Sequence, residues 1–172
     1  KYSDESTNYD ANKKELGDTD ITSLFSLLNV VVVTDQSTEE TNTGGLTISK
    51  TITGEIGDDP NEYLRNFQFK LTLTDADGNE LGPEQEFYFY GTDKSGHIRS
   101  GMEILLHHDE SITILGLPEG TRYTVEETLN PADGYTSIGG QIREGSIVRA
   151  AADQPPAAAE YVNARGVVVP FE

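Results

Sequence analysis

Three polar residues of this sequence stand at strand positions where apolar side chains are expected, and together they could form a covalent bond. They are Lys50, Glu127 and Asn163, and they lie in three separate segments with strand-like alternation. A neutral amine can attack a carboxamide while a neighbouring carboxylic acid moves the protons. The sequence therefore contains the groups needed for a crosslink between a lysine and an asparagine, with loss of ammonia.

The position of Lys50 follows from the alternation of Leu46–Thr53. Every second residue counted from Leu46 is apolar except Lys50, so this lysine falls on the apolar face of the predicted strand. A buried ammonium group is costly unless it is paired or neutralised. Lys50 thus needs a partner, a lowered pKa or a covalent bond. The alternative is an edge strand, from which the ammonium group reaches water.

The same period of two predicts an inward acid and an inward amide. Glu127 shares a strand face with Tyr123, and Glu126 points the other way. Asn163 shares a face with Tyr161. A β-bulge would exchange the faces of the two glutamates, so Glu126 is the alternative acid. Among apolar neighbours an amine favours its neutral form and a carboxylic acid its protonated form.

Composition limits the possible functions. The net charge of −18 and the pI near 4.3 argue against nucleic acid as a partner, because phosphates would be repelled. No segment approaches the roughly 20 apolar residues of a membrane span, and no leader peptide is recognised; if the parent protein is exported, its targeting and anchoring segments are expected outside this sequence. Without cysteine the chain cannot form disulfides. We predict neither a metal site nor a cofactor, and the composition is typical of a soluble extracellular module.

The chain divides into three predicted regions. Residues 1–44 are expected to be an N-terminal extension or part of a preceding domain, with a polar, glycine-ended linker. Within them, Asp20 could cap a short amphipathic helix, and Val30–Val33 has the pattern of a short buried strand. Residues 45–168 are predicted to form the β-sandwich that contains the crosslink, and residues 169–172 to form a C-terminal tail.

Short strands between turn signals predict an all-β fold, a sandwich or barrel without long helices. Beyond the segment around Lys50, strands are predicted at Phe67–Leu73, Glu86–Tyr90, Gly101–Leu106, Ser111–Leu115, Arg122–Thr128, Ser146–Ala150 and Glu160–Ala164.

Three other motifs carry weaker signals. Asp75–Glu80 hints at a calcium loop, but its glycine comes too early, and a hairpin turn is favoured. His107–Asp109 lacks a spaced third metal ligand and is interpreted as a solvated turn. The run Phe87–Tyr90 could place two rings outward as a ligand platform, although cross-strand packing is more common. No nucleophile–base pair indicates a hydrolase.

The order of several motifs resembles a known family. The stretches LTISKTITG, ITILGLPEGTRYTVEET, LNPADGY and EYVNA are similar to those of the Gram-positive pilin isopeptide-linkage domain, a relative of the Cna B-type domains of surface adhesins. The resemblance covers roughly Gly45–Val168 and implies an immunoglobulin-like β-sandwich. It also implies an isopeptide bond between Lys50 and Asn163, with Glu127 as the proton shuttle, since this glutamate closes the family's Tyr-x-x-x-Glu motif.

The resemblance further implies a mechanical function. We expect a structural stalk or pilin-like domain of a Gram-positive cell-surface protein, extracellular and attached to the cell wall. It would form its bond once, without external help, so it would not be an enzyme in the ordinary sense. Its partners would be neighbouring domains of the same protein. The alternative is an adhesive module that binds a host matrix protein or a glycan.

Overall fold

The structure, a computed structural model, describes residues 42–54 and 60–166 of the chain. These residues belong to Asn42–Glu172, the second of two compact units into which the chain divides. The helix and the strand predicted before residue 35, and the tail predicted at 169–172, lie outside the described residues.

The described residues form strands joined by turns, with only two short 3₁₀ helices, Pro60–Leu64 and Pro131–Asp133. The strands are β1 (Thr43–Gly54), β2 (Phe67–Thr74), β3 (Phe87–Gly91), β4 (Ser95–Ile98), β5 (Glu103–Leu106), β6 (Glu110–Pro118), β7 (Arg122–Thr128), β8 (Tyr135–Ile138), β9 (Ile142–Ser146) and β10 (Ala157–Arg165). The first and last of these strands run parallel to each other, whereas the other pairings are antiparallel.

The strands form two sheets that enclose one apolar core, which confirms the predicted all-β sandwich. One sheet has the order β4-β3-β6-β1-β10-β8 and the other β5-β2-β7-β9. Alternate side chains of both sheets point inward, as the period of two requires. The aliphatic and aromatic side chains at these positions are almost completely buried. Burying each one contributes roughly 1.5–3 kcal/mol, so the core holds the two sheets together.

Within the larger sheet, β1 occupies a central position between β6 and β10. The strands that begin and end the sandwich are therefore neighbours in the sheet interior. Both edges of β1 are paired with neighbouring strands, which places Lys50 in the middle of the sheet and excludes the edge-strand alternative.

The sequence prediction differs from the structure at three strands. The strand predicted at Ser146–Ala150 is wrong, because β9 ends at Ser146, where its pairing with the start of β7 ends. The chain then crosses to β1, where the Ala150 amide donates to Thr43 O. Gly44 permits this crossing, since a Cβ atom there would collide with Val148 O. The other two differences are β4 and β8, four-residue strands whose apolar alternation is too short to predict.

Asp75–Glu80 forms a turn, as predicted. Both carboxylate oxygens of Asp75 accept hydrogen bonds from Asn79, at 2.8 Å from the backbone nitrogen and 3.0 Å from the side-chain nitrogen. Gly78 adopts a φ of 91°, which glycine tolerates best. Among the described residues no cluster of three possible metal ligands occurs, and no helix has the length and apolar character needed to cross a bilayer.

Candidate functional site

Lys50 lies in the centre of the sandwich and is fully buried. On β1 it projects from the larger sheet towards the smaller one, between the strand positions of Ile48 and Ile52. Its Nζ atom lies 4.2 Å from the centroid of the Phe67 ring, which shields it on one side. This ammonium group therefore has an apolar and aromatic environment, apart from the partners that reach it from the other strands.

Glu127 approaches the same point from the opposite sheet. Its Oε1 atom lies 2.6 Å from Lys50 Nζ, and both side chains are fully buried. Glu126, the next residue back, is exposed, so β7 has no bulge that exchanges the two glutamates. The inward acid is thus the one that the alternation predicts.

Asn163 completes the group from β10. Its Nδ2 atom donates to Glu127 Oε1 at 2.7 Å, the same oxygen that accepts from Lys50. Asn163 is fully buried and lies opposite Ile52 in the parallel pairing of β1 and β10. The structure therefore brings all three predicted site residues together around one carboxylate oxygen.

Two acceptor atoms of this group have no hydrogen-bond partner. They are Glu127 Oε2 and Asn163 Oδ1, and both are buried. Buried polar atoms are nearly always paired, so two unpaired ones in a single cluster require an explanation. A proton on Glu127 would convert one of its oxygens into a donor, and Asn163 Oδ1 is an acceptor within the same cluster.

Burial also changes the charge balance of Lys50. Removal from water lowers its pKa, and the hydrogen bond and negative charge of Glu127 oppose this effect without cancelling it. Neutral amine is therefore more accessible at this site than at an exposed lysine. Because only the neutral amine is a nucleophile, the site favours attack on a neighbouring carbonyl carbon.

Tyr161 forms one wall of the site, two residues before Asn163. Its ring packs 4.8 Å from that of Phe69, and its hydroxyl donates to Val125 O at 2.5 Å. Burial raises the pKa of this phenol, so it stays neutral and acts as a rigid apolar support. Arg143 covers the outer side of the ring at 4.9 Å from the centroid.

A polar cluster closes the end of the sandwich next to Phe67. The Phe67 ring packs edge-on against Tyr135, whose hydroxyl donates to Glu62 Oε2 at 2.5 Å. Glu62 also forms an ion pair with Arg165. The sequence pattern does not predict this cluster, since Glu62 lies in a 3₁₀ helix without an apolar period.

Sequence reasoning also missed a second buried carboxylate, Glu110. It is 1% exposed, forms an ion pair with Lys94 at 2.7 Å, and lies opposite Lys50 in the pairing of β1 and β6. The alternation of Ile112 and Ile114 extends back to Glu110 and indicates that its side chain points inward. The predicted strand began one residue later, at Ser111, and therefore did not include Glu110.

Comparison with known families gives one match. A model of the family described as "Domain of unknown function (DUF7601)" matches residues 44–165. No curated protein matches the sequence.

Solved structures with a similar fold come from pilus proteins. A pilus-presented adhesin, Cpa, shares 25% identity with a TM-score of 0.55, over 73% of this chain and 28% of that one. The major pilin of Streptococcus pyogenes shares 19% identity with a TM-score of 0.51, over 72% of this chain and 48% of that one. The T3.2 major pilin of the same species shares 25% identity with a TM-score of 0.50, over 72% and 45%.

The matched region thus spans less than half of each of these pilus proteins. The comparisons confirm the predicted resemblance to Gram-positive pilin and Cna B-like domains.

Proposed function

The chain belongs to the DUF7601 family, and we propose that it is a stalk or pilin-like domain of a Gram-positive cell-surface protein, stabilised by an isopeptide bond between Lys50 and Asn163. One observation carries the proposal. Lys50 Nζ and Asn163 Nδ2 both contact Glu127 Oε1 inside a fully buried pocket of the sandwich.

The bond would form by direct exchange of one amide for another. Neutral Lys50 Nζ attacks Asn163 Cγ beside a protonated Glu127, which gives its proton to Oδ1 and accepts one from the amine nitrogen on its other oxygen. Glu127 then delivers that proton to Nδ2 and takes back the one on Oδ1 as the Cγ–Nδ2 bond breaks, and Nδ2 leaves as ammonia. The product is a secondary amide between the two side chains. No oxidant, metal or external group takes part, and Glu127 ends in its starting state.

The unpaired acceptors fit this step. Rotation of the Asn163 carboxamide by half a turn exchanges its two ends and directs Oδ1 towards Glu127. A protonated Glu127 would then donate to Oδ1 and polarise the carbonyl group while the amine attacks. The buried acceptor would gain a partner at the moment that negative charge develops on it.

Folding would supply most of the rate. β1, β7 and β10 hold the three groups in contact, so the reaction needs no diffusional encounter. Burial keeps the pKa of Lys50 low and keeps water away from the activated carbonyl. Since each chain carries one lysine and one asparagine at the site, the reaction would occur once, and we infer no turnover of an external substrate.

The crosslink would stabilise the domain mechanically. Lys50 and Asn163 are 113 positions apart, so the bond closes nearly the whole sandwich into one loop. By analogy with a disulfide of that loop length, closure contributes on the order of 4–5 kcal/mol. β1 and β10 are parallel neighbours, and a pull on their outer ends shears them along each other. The bond would connect β1 to β10 and prevent them from sliding apart.

The location of the domain follows by analogy with its structural relatives. Those relatives are a pilus-presented adhesin and major pilins. We propose that this chain is likewise extracellular and part of a wall-attached surface protein, with neighbouring domains of that protein as its partners. A host matrix protein or glycan is the alternative partner. Tyr88 and Tyr90 are exposed enough to contact one, but the Tyr88 ring already packs against His97 at 5.9 Å.

Intact-mass spectrometry of the purified chain tests the proposal. The wild type should be lighter than its sequence by one ammonia molecule, and the Asn163→Ala variant should have its full sequence mass. A wild-type mass equal to that of the sequence would refute the bond.

A further inference from the structure

The turn His107–Glu110, which joins β5 to β6, holds the backbone of β1 beside the reactive lysine. The Asp109 amide donates to Lys50 O at 2.8 Å. The Ile52 amide donates to His108 Nδ1 at 2.9 Å. The ladder between β1 and β6 ends at the pairing of Lys50 with Glu110, so this turn takes over where the regular sheet bonds stop.

The turn contains one residue in the left-handed backbone region, which aspartate adopts more readily than most residues. Asp109 has a φ of 57°, and it is the only non-glycine residue of the described ranges with a positive φ. Glu110 anchors the turn, because its buried carboxylate accepts from the His107 amide at 3.0 Å and pairs with Lys94. His107–Asp109 forms a turn, as predicted, with Asp109 exposed and His108 partly buried, and the burial and salt bridge of Glu110 make this turn a fixed support for β1.

We propose that His108 is a positioning residue for the crosslinking reaction, a role that rests on the proposed function of Lys50. Its unprotonated Nδ1 fixes the Ile52 amide, and with the Asp109 amide it sets the direction in which the Lys50 side chain leaves β1. These two bonds form a clamp that fixes the peptide units before and after Thr51, next to Lys50, and so limits the movement of Nζ relative to Asn163.

The clamp depends on the charge of His108. A backbone N–H can only donate, so Nδ1 must be an acceptor and cannot carry a proton. Nε2 lies 3.3 Å from Asp109 Oδ2, and the Tyr63 ring covers the imidazole at 4.8 Å. The other titratable groups of the turn are Glu110 and His107, whose Oε2 and Nε2 atoms are 3.5 Å apart, and Glu110 Oε1 pairs with Lys94 at 2.7 Å. A second proton on His108 would make Nδ1 a donor that faces the Ile52 N–H, which is also a donor. The hydrogen bond between them would then be lost, and the clamp would open.

Two substitutions separate positioning from simple packing. His108→Ala removes the acceptor. His108→Asn restores an acceptor, since the asparagine Oδ1 occupies about the place of the histidine Nδ1. Unlike imidazole, the carboxamide does not take up a proton in this pH range. His97→Asn is the matched control, because His97 is exposed on β4 and has no described contact with β1.

The experiment follows bond formation in full-length chains assembled from synthetic segments under denaturing conditions. Folding is started by dilution at about pH 8 and at about pH 5, on either side of the usual range in which histidine titrates, and intact mass is recorded over time. His108→Ala should slow the loss of ammonia about tenfold or more, since small misplacements of reacting groups have large effects. His108→Asn should restore the rate at about pH 8 and show a smaller fall in acid than the wild type and His97→Asn.

Each outcome decides a separate point. A wild type that never loses ammonia refutes the proposed function and this inference with it. If the wild type reacts and His108→Ala reacts equally fast with the same pH profile, only the positioning role is refuted. If His108→Ala does not fold, the pH profile of His108→Asn decides, because an unchanged acid dependence would exclude the clamp.

Discussion

Lys50 and Asn163 lie on neighbouring parallel strands, two positions apart in register, since Lys50 is opposite Tyr161 and Asn163 is opposite Ile52. On one face of a sheet, such diagonal neighbours lie within reach of long side chains. The strands that carry them begin and end the sandwich, yet they occupy the middle of the larger sheet. A bond between them would therefore join the two ends of the domain at its interior.

The role of Glu127 is the first prediction. Glu127→Ala should fold but keep its full sequence mass, because an amine attacks an amide poorly when no acid polarises the carbonyl and moves the protons. Glu126→Ala is the control, since that side chain is exposed on the other face of β7 and should not affect the bond. Intact mass of the two purified variants provides the measurement. Crosslinking in Glu127→Ala, or its loss in Glu126→Ala, would contradict the assigned role.

The site residues were predictable because local alternation determines the direction in which strand side chains point. Lys50, Glu127 and Asn163 each interrupt an apolar face of a strand, and the structure buries all three. Their contact with one another is long-range, and alternation alone does not predict it. The resemblance to pilin domains supplied that step.

The remaining features depend on contacts that a local pattern does not contain. His108 is polar and lies in a turn, so only its bond to the Ile52 amide, 56 residues away, shows that it is structural. The conformation of that turn likewise depends on Lys94, which reaches Glu110 from a distant loop. The end of β9 is set by where its partner β7 begins, which explains why the strand predicted at Ser146–Ala150 was wrong.

Loss of the lysine should reduce stability strongly. Lys50→Ala removes the long-loop closure and leaves Glu127 and Asn163 buried without their partner, so the free energy of unfolding should fall by several kcal/mol. Lys70→Ala is the matched control, because Lys70 is exposed on β2. Urea unfolding and the rate of proteolysis measure the effect. If Lys50→Ala were as stable as Lys70→Ala, the proposed mechanical role of the bond would be untenable.

The stability of a chain that cannot form the bond should rise with pH in the alkaline range. In Asn163→Ala the Lys50 amine remains free. Burial lowers its folded-state pKa below the ordinary 10.5, so between these two values the unfolded chain binds more protons than the folded chain. Stability then increases with pH, by at most about 1.4 kcal/mol per pH unit for one group.

The control for this measurement also carries Lys50→Met and Glu127→Gln, which remove the ionisable pair. Burial raises the pKa values of Tyr123, Tyr135 and Tyr161, so these phenols stay neutral in the folded state of both variants, and their ionisation in the unfolded chain is the same in both. Urea midpoints are compared between about pH 7 and about pH 9.5, below the usual lysine pKa. If the urea midpoints of the two variants changed equally with pH, Lys50 would make no contribution to stability at alkaline pH.

With the bond in place, force applied to the ends of the domain should not stretch the residues between Lys50 and Asn163. Tension passes along β1 to Lys50, through the amide to Asn163, and out along β10. The 112 residues between Lys50 and Asn163 then carry no load. In a single-molecule pulling experiment the wild type should show almost no extension from this interval before the tether breaks. Asn163→Ala should instead lengthen by up to roughly 380 Å, at about 3.4 Å per residue. Wild-type molecules that extend as far as Asn163→Ala would show that β1 and β10 are not covalently joined under load.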